Sequence, residues 1–426
     1  MVKRNRSEEP DSELASTAAR TGGGALPPIL FLLAGALLAS ILIGSMGAAV
    51  RNPNADDGYY LRYMQAVGTD GLSAFPRLFD QWIATPKDWI YPPPSRVGFI
   101  VASALWSKAF GASPQALQQL SLASYLLLIL LNYLFARRRF GDPRALFMGV
   151  LIGFSPLLMG ISRLALSDSF NALCMTSTVW LFLELLDDSR SLRRSILFGA
   201  SLAFMVLVKE LSVLLVAPFL GFLLYERFAR RVPHDLRRIA LTFAAAGLVS
   251  ASVFALAAGS VPKLLETTRI VLASPATNAY ALAFGSGPWT RAILDYLLFS
   301  PWPTLLAIGW FFATALHLRT GRYERESVYF GFVAASLILL FSFFTKNIRY
   351  GVVLELPIRV FAVLLLGEIF GGLRRSSAVA LTGAAVLLLC WLDWRSFELV
   401  WVEKRCYDPV TAFLAVVFGL VPSRGP

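Results

Sequence analysis

Two adjacent carboxylates, Asp56 and Asp57, followed closely by Tyr59, Tyr60 and Arg62 in RNPNADDGYYLRY, form a dense polar group in an otherwise apolar chain. Arg163 and Asp168 bracket the turn ISRLALSDSF, and Lys209 and Glu210 stand together in VLVKELSV. Lys346, Arg349 and Tyr350 follow in TKNIRYG, with Glu355 and Arg359 behind them. Acids beside bases suit transfer of a group from a phosphate-linked donor. A carboxylate takes the proton of an acceptor hydroxyl as general base, while Lys and Arg neutralise the phosphate that departs as an anion. The tyrosines offer faces and hydroxyls to a sugar.

Each of these residues also has a structural reading. Asn54 and Asp57 have the spacing of a capping box, and acids in a first helical turn suit the helix dipole. Lys209 can snorkel from a hairpin turn, Arg163 can anchor head groups, and Glu355 and Arg359 at i,i+4 can simply neutralise each other. Which of Asp56 and Asp57 is chemical and which structural stays open at this level.

The elements that must position these residues follow from composition. With 56% hydrophobic and 15% charged residues in 426, and a mean hydropathy of +0.62, the chain is no ordinary soluble enzyme. Apolar runs of about 17 to 23 residues without alternation exclude a β-barrel and predict an all-α polytopic membrane protein. Spans are expected near 28–50, 115–136, 145–162, 169–186, 195–209, 210–226, 239–259, 302–318, 327–344, 351–370 and 377–394. The N-terminal tail (1–27) reads as disordered, and the first apolar run as an uncleaved span.

Basic clusters at the tail, 136–144, 187–194, 226–238, 317–326 and 371–375 fix the orientation when all lie on the cytoplasmic side. Three external pieces result: 51–114, 260–300 and the tail 395–426. Residues 95–111 are apolar enough to span, but counting them would misplace Arg137, Arg138 and Arg139. They are therefore laid at the outer interface. Most of the ten tryptophans fall on that side too. Cys390 and Cys406 are the one pair that could form a disulfide there, and the two histidines, His234 and His317, fall in cytoplasmic loops, which leaves no external histidine base or metal ligand.

With these residues in place, the chain resembles the GT-C glycosyltransferases that use polyprenyl-phosphate sugars: the protein O-mannosyltransferases and the bacterial enzymes that modify lipid A or lipopolysaccharide. Asp56, Asp57 and Tyr60 are similar to the acidic pair and tyrosine that open the family's first external loop. Tyr91-Pro92-Pro93-Pro94 and Phe110-Gly111 are similar to its HPP motif and the apolar helix ending in FG, and Asp168, Lys209, Arg349, Tyr350 and Pro357 to dispersed later motifs. The resemblance covers most of residues 28–370. It implies a GT-C bundle of about eleven transmembrane helices over 28–394, with juxtamembrane helices in the first external loop.

It further implies a multi-pass protein of the bacterial inner membrane with its site facing the periplasm or exterior. Asp56 would be the base, Lys209, Arg349 and Arg62 would hold the donor phosphate, and Asp168 would orient Lys209 or the acceptor. Tyr59, Tyr60, Tyr350 and Arg163 would contact substrate. The implied partners are a polyprenyl-phosphate sugar donor, a glycan or lipid acceptor and membrane lipids, with no nucleic acid. No metal ligand set is assigned; a divalent cation could sit on Asp56, Asp57 and Asp168, or basic residues could suffice.

Two departures qualify the resemblance. Tyr91 replaces the motif's His, so any role of that His is not carried over. The short tail after 395 argues against a large acceptor domain and favours an envelope glycan, lipid or lipopolysaccharide acceptor. An O-antigen ligase or polymerase, and a transporter with midplane charges, are the rival readings.

Overall fold

The computed structural model describes residues 26–46, 56–85, 92–277, 287–320, 324–343 and 347–406, with Leu282 and Gly285. The N-terminal tail as far as residue 25, Asn54, Tyr91, Lys346 and the segment beyond residue 406 lie outside the described residues. So does the expected Asn54–Asp57 capping box.

The described residues are helical throughout, with no strand among them. The first helix, α1, is Leu26–Met46. Three shorter helices follow: α2 (Asp56–Asp70), α3 (Ala74–Ala84) and α4 (Val97–Phe110). Then come α5 (Pro114–Phe140), the bent pair α6 (Asp142–Gly153) and α7 (Pro156–Ser162), α8 (Asp168–Asp187) and α9 (Leu192–Val208). A 3₁₀ segment, Glu210–Leu215, leads into α10 (Val216–Leu224), followed by α11 (Leu236–Ala258), α12 (Val261–Thr277), α13 (Arg291–Phe299), α14 (Pro301–Thr320) and α15 (Arg325–Phe341). A second 3₁₀ segment, Ile348–Leu354, enters α16 (Glu355–Phe370), and α17 (Arg375–Phe397) continues through a π turn, Glu398–Glu403.

Every expected span coincides with a helix or a helix pair. Among the described residues, six helices are each long and apolar enough to cross a membrane, or seven if α6 and α7, bent by 56°, form one span. The starts and stops follow local chemistry. Ser113 caps α5 by accepting from Ala116 N–H at 3.2 Å, with Pro114 in the first turn. Gly141 ends α5 at φ +80°, a conformation closed to most side chains. Residues 95–111 form α4, which at 14 residues is about 21 Å long and too short for the hydrocarbon core. It packs on α2, α5 and α9.

The helix α8 is the bundle's core and carries a charged residue at each end. Its twenty residues separate Asp168 from Asp187 by about 28 Å, close to the thickness of a hydrocarbon layer. At the Asp187 end, Arg139 of α5 reaches Glu184 at 3.2 Å, Asp187, and Glu326 of α15 at 3.4 Å. Arg325 pairs with Asp187 at 2.6 Å and with the buried Glu226 at 2.7 Å, and His234 meets the same Glu226 at 2.9 Å. These ties lock four helices together at one end of the bundle, among the basic clusters that the sequence places on one side.

The cysteines correct one expectation. Cys174, Cys390 and Cys406 are free thiols. Because α17 runs on through its π turn, Cys390 and Cys406 lie sixteen residues apart along nearly continuous helix, about 20 Å and far beyond disulfide reach.

Candidate active site

The opposite end of α8 is built from a buried loop. Residues 163–167, between α7 and α8, are all buried, so their backbone groups need partners inside the protein. Side chains of α5 supply them: Gln118 donates to Arg163 O at 2.9 Å and Ser121 to Leu166 O at 3.0 Å. Ser167 shares a hydrogen bond of 2.9 Å with the Tyr60 hydroxyl. Asp168 is thereby fixed at the first turn of α8 with 3% of its surface exposed.

Lys209 closes on Asp168 from the end of α9, Nζ to Oδ1 at 2.7 Å, and Arg349 approaches Oδ2 at 3.5 Å. The Lys209 ammonium also lies 4.7 Å from the centre of the Tyr350 ring, a cation–π contact. Lys209 and Arg349 stand at the entrances of the two 3₁₀ segments, and both segments touch α8.

Arg96, which the sequence reading did not single out, is a third cation here. It precedes α4, donates to the Tyr60 hydroxyl, and its Nε lies 3.7 Å from Glu210 Oε2. Burial works against its charge, but Tyr60, Glu210 and Asp56 outweigh it and hold the guanidinium firmly protonated. Burial pushes the Tyr60 phenol well above its ordinary value, so it remains a neutral donor. The clue in the sequence was a single Arg between a proline run and an apolar helix, PPPSRVGF.

Gly98 explains how the first turn of α4 comes close against the end of α9. A Cβ there would lie 3.1 Å from Leu207 C and Val208 N, backbone atoms at the end of α9 that cannot give way. Only glycine lets the first turn of α4 abut the residues just before Lys209. Gly98→Ala is therefore expected to lower turnover while overall helix content, read by circular dichroism, stays the same.

Asp56 opens α2 half-buried, and its charge acts on Tyr60, Arg96 and Tyr350, so it faces the same cluster. Asp57, one position round the helix, is buried at 8% exposure. The helices α2, α4 and α8 and both 3₁₀ segments all begin here, and their N-terminal N–H groups add positive potential to the three cations.

The other expected contacts fall elsewhere. Arg62 is exposed, donating to Gly58 O at 3.2 Å with its guanidinium 4.2 Å from the Tyr59 ring centre, so it lies outside the buried cation cluster. Tyr59 is half-buried beside it. Tyr60 is 1% exposed against Phe99 and forms the wall of the site, not an open stacking platform. Arg163 is 1% exposed and bonds Ser45 O at 2.5 Å and Trp401 O at 3.3 Å, tying α1 and the π turn to the buried loop. Lys209 and Arg349 take both Asp168 oxygens, and among the described residues no three His, Cys, Asp or Glu side chains are grouped to hold a metal.

One carboxyl in the neighbouring helix α13 titrates unusually. Asp295 is 3% exposed, 3.6 Å from Arg291; burial pushes it up to about 6 against the pull of Arg291. The folded protein therefore holds this proton more tightly than an unfolded chain with a carboxyl near 3.9. The stability it confers is complete below about pH 4 and lost as pH rises through about 6, some 2–3 kcal/mol by pH 8. Asp295→Asn should raise the melting temperature at pH 8, with a gain that vanishes on titration to pH 4.

A membrane-embedded helical bundle that gathers cations, helix N-termini and one half-exposed acid at one end is equipped to handle an anionic group next to a nucleophile. Comparison with known proteins shows what this bundle is similar to. The family model of dolichyl-phosphate-mannose-protein mannosyltransferase matches residues 98–257. The fold is that of ArnT from Cupriavidus metallidurans bound to undecaprenyl phosphate, at TM-score 0.59 and 16% identity over 93% of this chain and 76% of that one. It is also that of the archaeal oligosaccharyltransferase AglB from Archaeoglobus fulgidus in complex with an inhibitory peptide and a dolichol-phosphate, at TM-score 0.57 and 15% identity over 89% of this chain and 56% of that one. The apo form of the A. fulgidus enzyme aligns at TM-score 0.60 and 14% identity, again over 56% of its length. No curated protein matches the sequence. The chain thus has the GT-C fold of these membrane glycosyltransferases, and its residues 98–257 are similar to the protein-mannosyltransferase family.

Proposed function

We propose that this enzyme transfers a sugar from a polyprenyl-phosphate donor to a hydroxyl of an envelope glycan, lipid or lipopolysaccharide, on the periplasmic or external face and with inversion. The observation that carries the reading is the trio Arg96, Lys209 and Arg349 around Asp168, at converging helix N-termini and within reach of Asp56. Lys209 and Arg349 are two cations against the Asp168 carboxylate, with Arg96 paired to Glu210 beside them, so positive charge is concentrated where a phosphate would depart.

In the reaction the acceptor oxygen attacks the anomeric carbon and Asp56 takes its proton. The bond from that carbon to the phosphate oxygen breaks, and the phosphate leaves with the bonding pair. Asp168 keeps Lys209 and Arg349 charged and aimed. The donor's isoprenoid chain has a place beside the site: an apolar cavity of about 240 Å³ lined by Ile293, Ala307, Phe311, Ala334, Leu354 and Phe361, from α13 to α16.

Mass spectrometry of envelope glycans and lipids from a deletion strain tests the assignment: loss of a single sugar names donor and acceptor together, and an unchanged envelope refutes it. Arg96→Gln tests the site. A charge-assisted bond to phosphate is worth about 1.5–3 kcal/mol, so undecaprenyl phosphate should bind roughly ten- to a hundredfold more weakly. Unaltered binding would remove Arg96 from the site.

A further inference from the structure

Resting on the proposed donor site, we propose that Arg359 is a positioning residue: it acts through the 3₁₀ segment Ile348–Leu354 to set where Arg349 stands. Arg359 lies in α16 with none of its surface exposed. Its Nε donates to Glu355 Oε2 at 2.9 Å, and its Nη1 donates to Ser300 Oγ at 3.0 Å and to Asp393 Oδ2 at 2.6 Å. Ser300 in turn donates to Asp393 Oδ1 at 2.7 Å. One guanidinium thus joins the corner between α13 and α14, the helix α17, and the foot of the 3₁₀ segment.

Stability does not account for this cluster. A buried ionic group is commonly replaced by packed apolar residues at no loss, so what it contributes is geometry. The geometry that needs holding is nearby. Seven residues of 3₁₀ helix exceed the usual three or four, and such a stretch at the head of a helix has an α-helical alternative. Arg349 stands six residues before Glu355. Relaxing those residues from 3₁₀ to α rise and twist would withdraw Arg349 by about 3 Å and swing it by roughly 120°. Either change takes it off Asp168.

A second tie grips the same segment from the same corner. The Tyr296 hydroxyl donates to Gly351 O at 2.7 Å, and Tyr296 O accepts from Ser300 N–H at 2.8 Å. At the far end the Asn347 side chain accepts from Arg349 N–H at 3.0 Å. The corner of α13 and α14, through Ser300 and Tyr296, and the clamp on Glu355 therefore hold the segment at its middle and its foot, with Arg349 at its head.

The test keeps every charge in place so that the protein folds. In nanodiscs, Ser300→Ala with Tyr296→Phe removes three hydrogen bonds, two of them to charged partners, and is expected to weaken undecaprenyl phosphate binding at least about tenfold. Backbone amides of 348–354 should exchange faster, with α5 and α8 unchanged. In an Arg349→Gln background the same pair should change affinity no further, because the residue being positioned is gone. An equal loss in both backgrounds, or unaltered exchange over 348–354, overturns the proposal. If the unsubstituted protein fails to bind undecaprenyl phosphate, it is the donor assignment that fails, and the exchange arm alone decides whether Arg359 and its partners hold the segment.

Discussion

Asp56→Asn lowers turnover by about a thousandfold, the middle of the range for a positioned general base, while donor binding and the melting temperature hold. The expectation rests on the different settings of the two loop acids. Asp56 is half-buried at the first turn of α2, with its charge acting on Arg96, Tyr60 and Tyr350. Its removal takes away the proton acceptor and leaves the phosphate-binding cations in place. Asp57 is buried within the fold, so Asp57→Asn should show the reverse: a lower melting temperature and turnover reduced only in proportion to folded protein. Single-turnover kinetics with preformed donor complex separates the two. A full rate in Asp56→Asn, or a folded but inert Asp57→Asn, would exchange their roles.

The bundle was legible because its cause is local. A membrane-length apolar run must hydrogen-bond its own backbone, and basic clusters between runs order the crossings, so each expected span has its helix. The placement of α4 was readable for another reason: counting 95–111 as a span would have set Arg137, Arg138 and Arg139 apart from the other basic clusters, and the helix proves 14 residues long. The 3₁₀ entries at Glu210 and Ile348 were not readable. Their apolar residues merge into those of α10 and α16, and the tighter winding is imposed by packing on α8 and α15.

The site divides in the same way. Asp56, Asp168, Lys209 and Arg349 are charges at the ends of apolar runs, costly enough there to announce themselves, and the structure brings Asp168, Lys209 and Arg349 into direct contact. Arg163 has the same signature and a different fate. Its guanidinium is taken up by carbonyls 118 and 238 residues away in the chain, partners that no local pattern reveals. Arg96 shows the converse, its importance arising from Tyr60, 36 residues upstream, and from the close approach permitted at Gly98. Asp393 belongs with Arg96: it lies inside the last expected span, and its partners Arg359 and Ser300 are 34 and 93 residues away in the chain.

Lys209→Met gives the other large effect, and it combines two losses that a second substitution separates. Lys209 and Asp168 are 3% exposed and 2.7 Å apart. Taking away one partner of such a pair leaves a buried charge incompletely compensated and costs about 3–5 kcal/mol. Here the loss should fall toward the lower bound, since Arg349 still approaches Asp168 at 3.5 Å. Lys209→Met with Asp168→Asn removes both charges, so most of the lost stability returns, measured as the melting temperature in nanodiscs. Activity does not return with it. The double variant keeps Arg96 and Arg349 but has lost the ammonium proposed to meet the leaving phosphate, and a donor of this kind contributes roughly 3–4 kcal/mol to the transition state, or a hundred- to a thousandfold in turnover. Recovery of both properties together would make Lys209 a purely structural partner of Asp168. Recovery of stability alone places the Lys209 ammonium on the phosphate as it leaves.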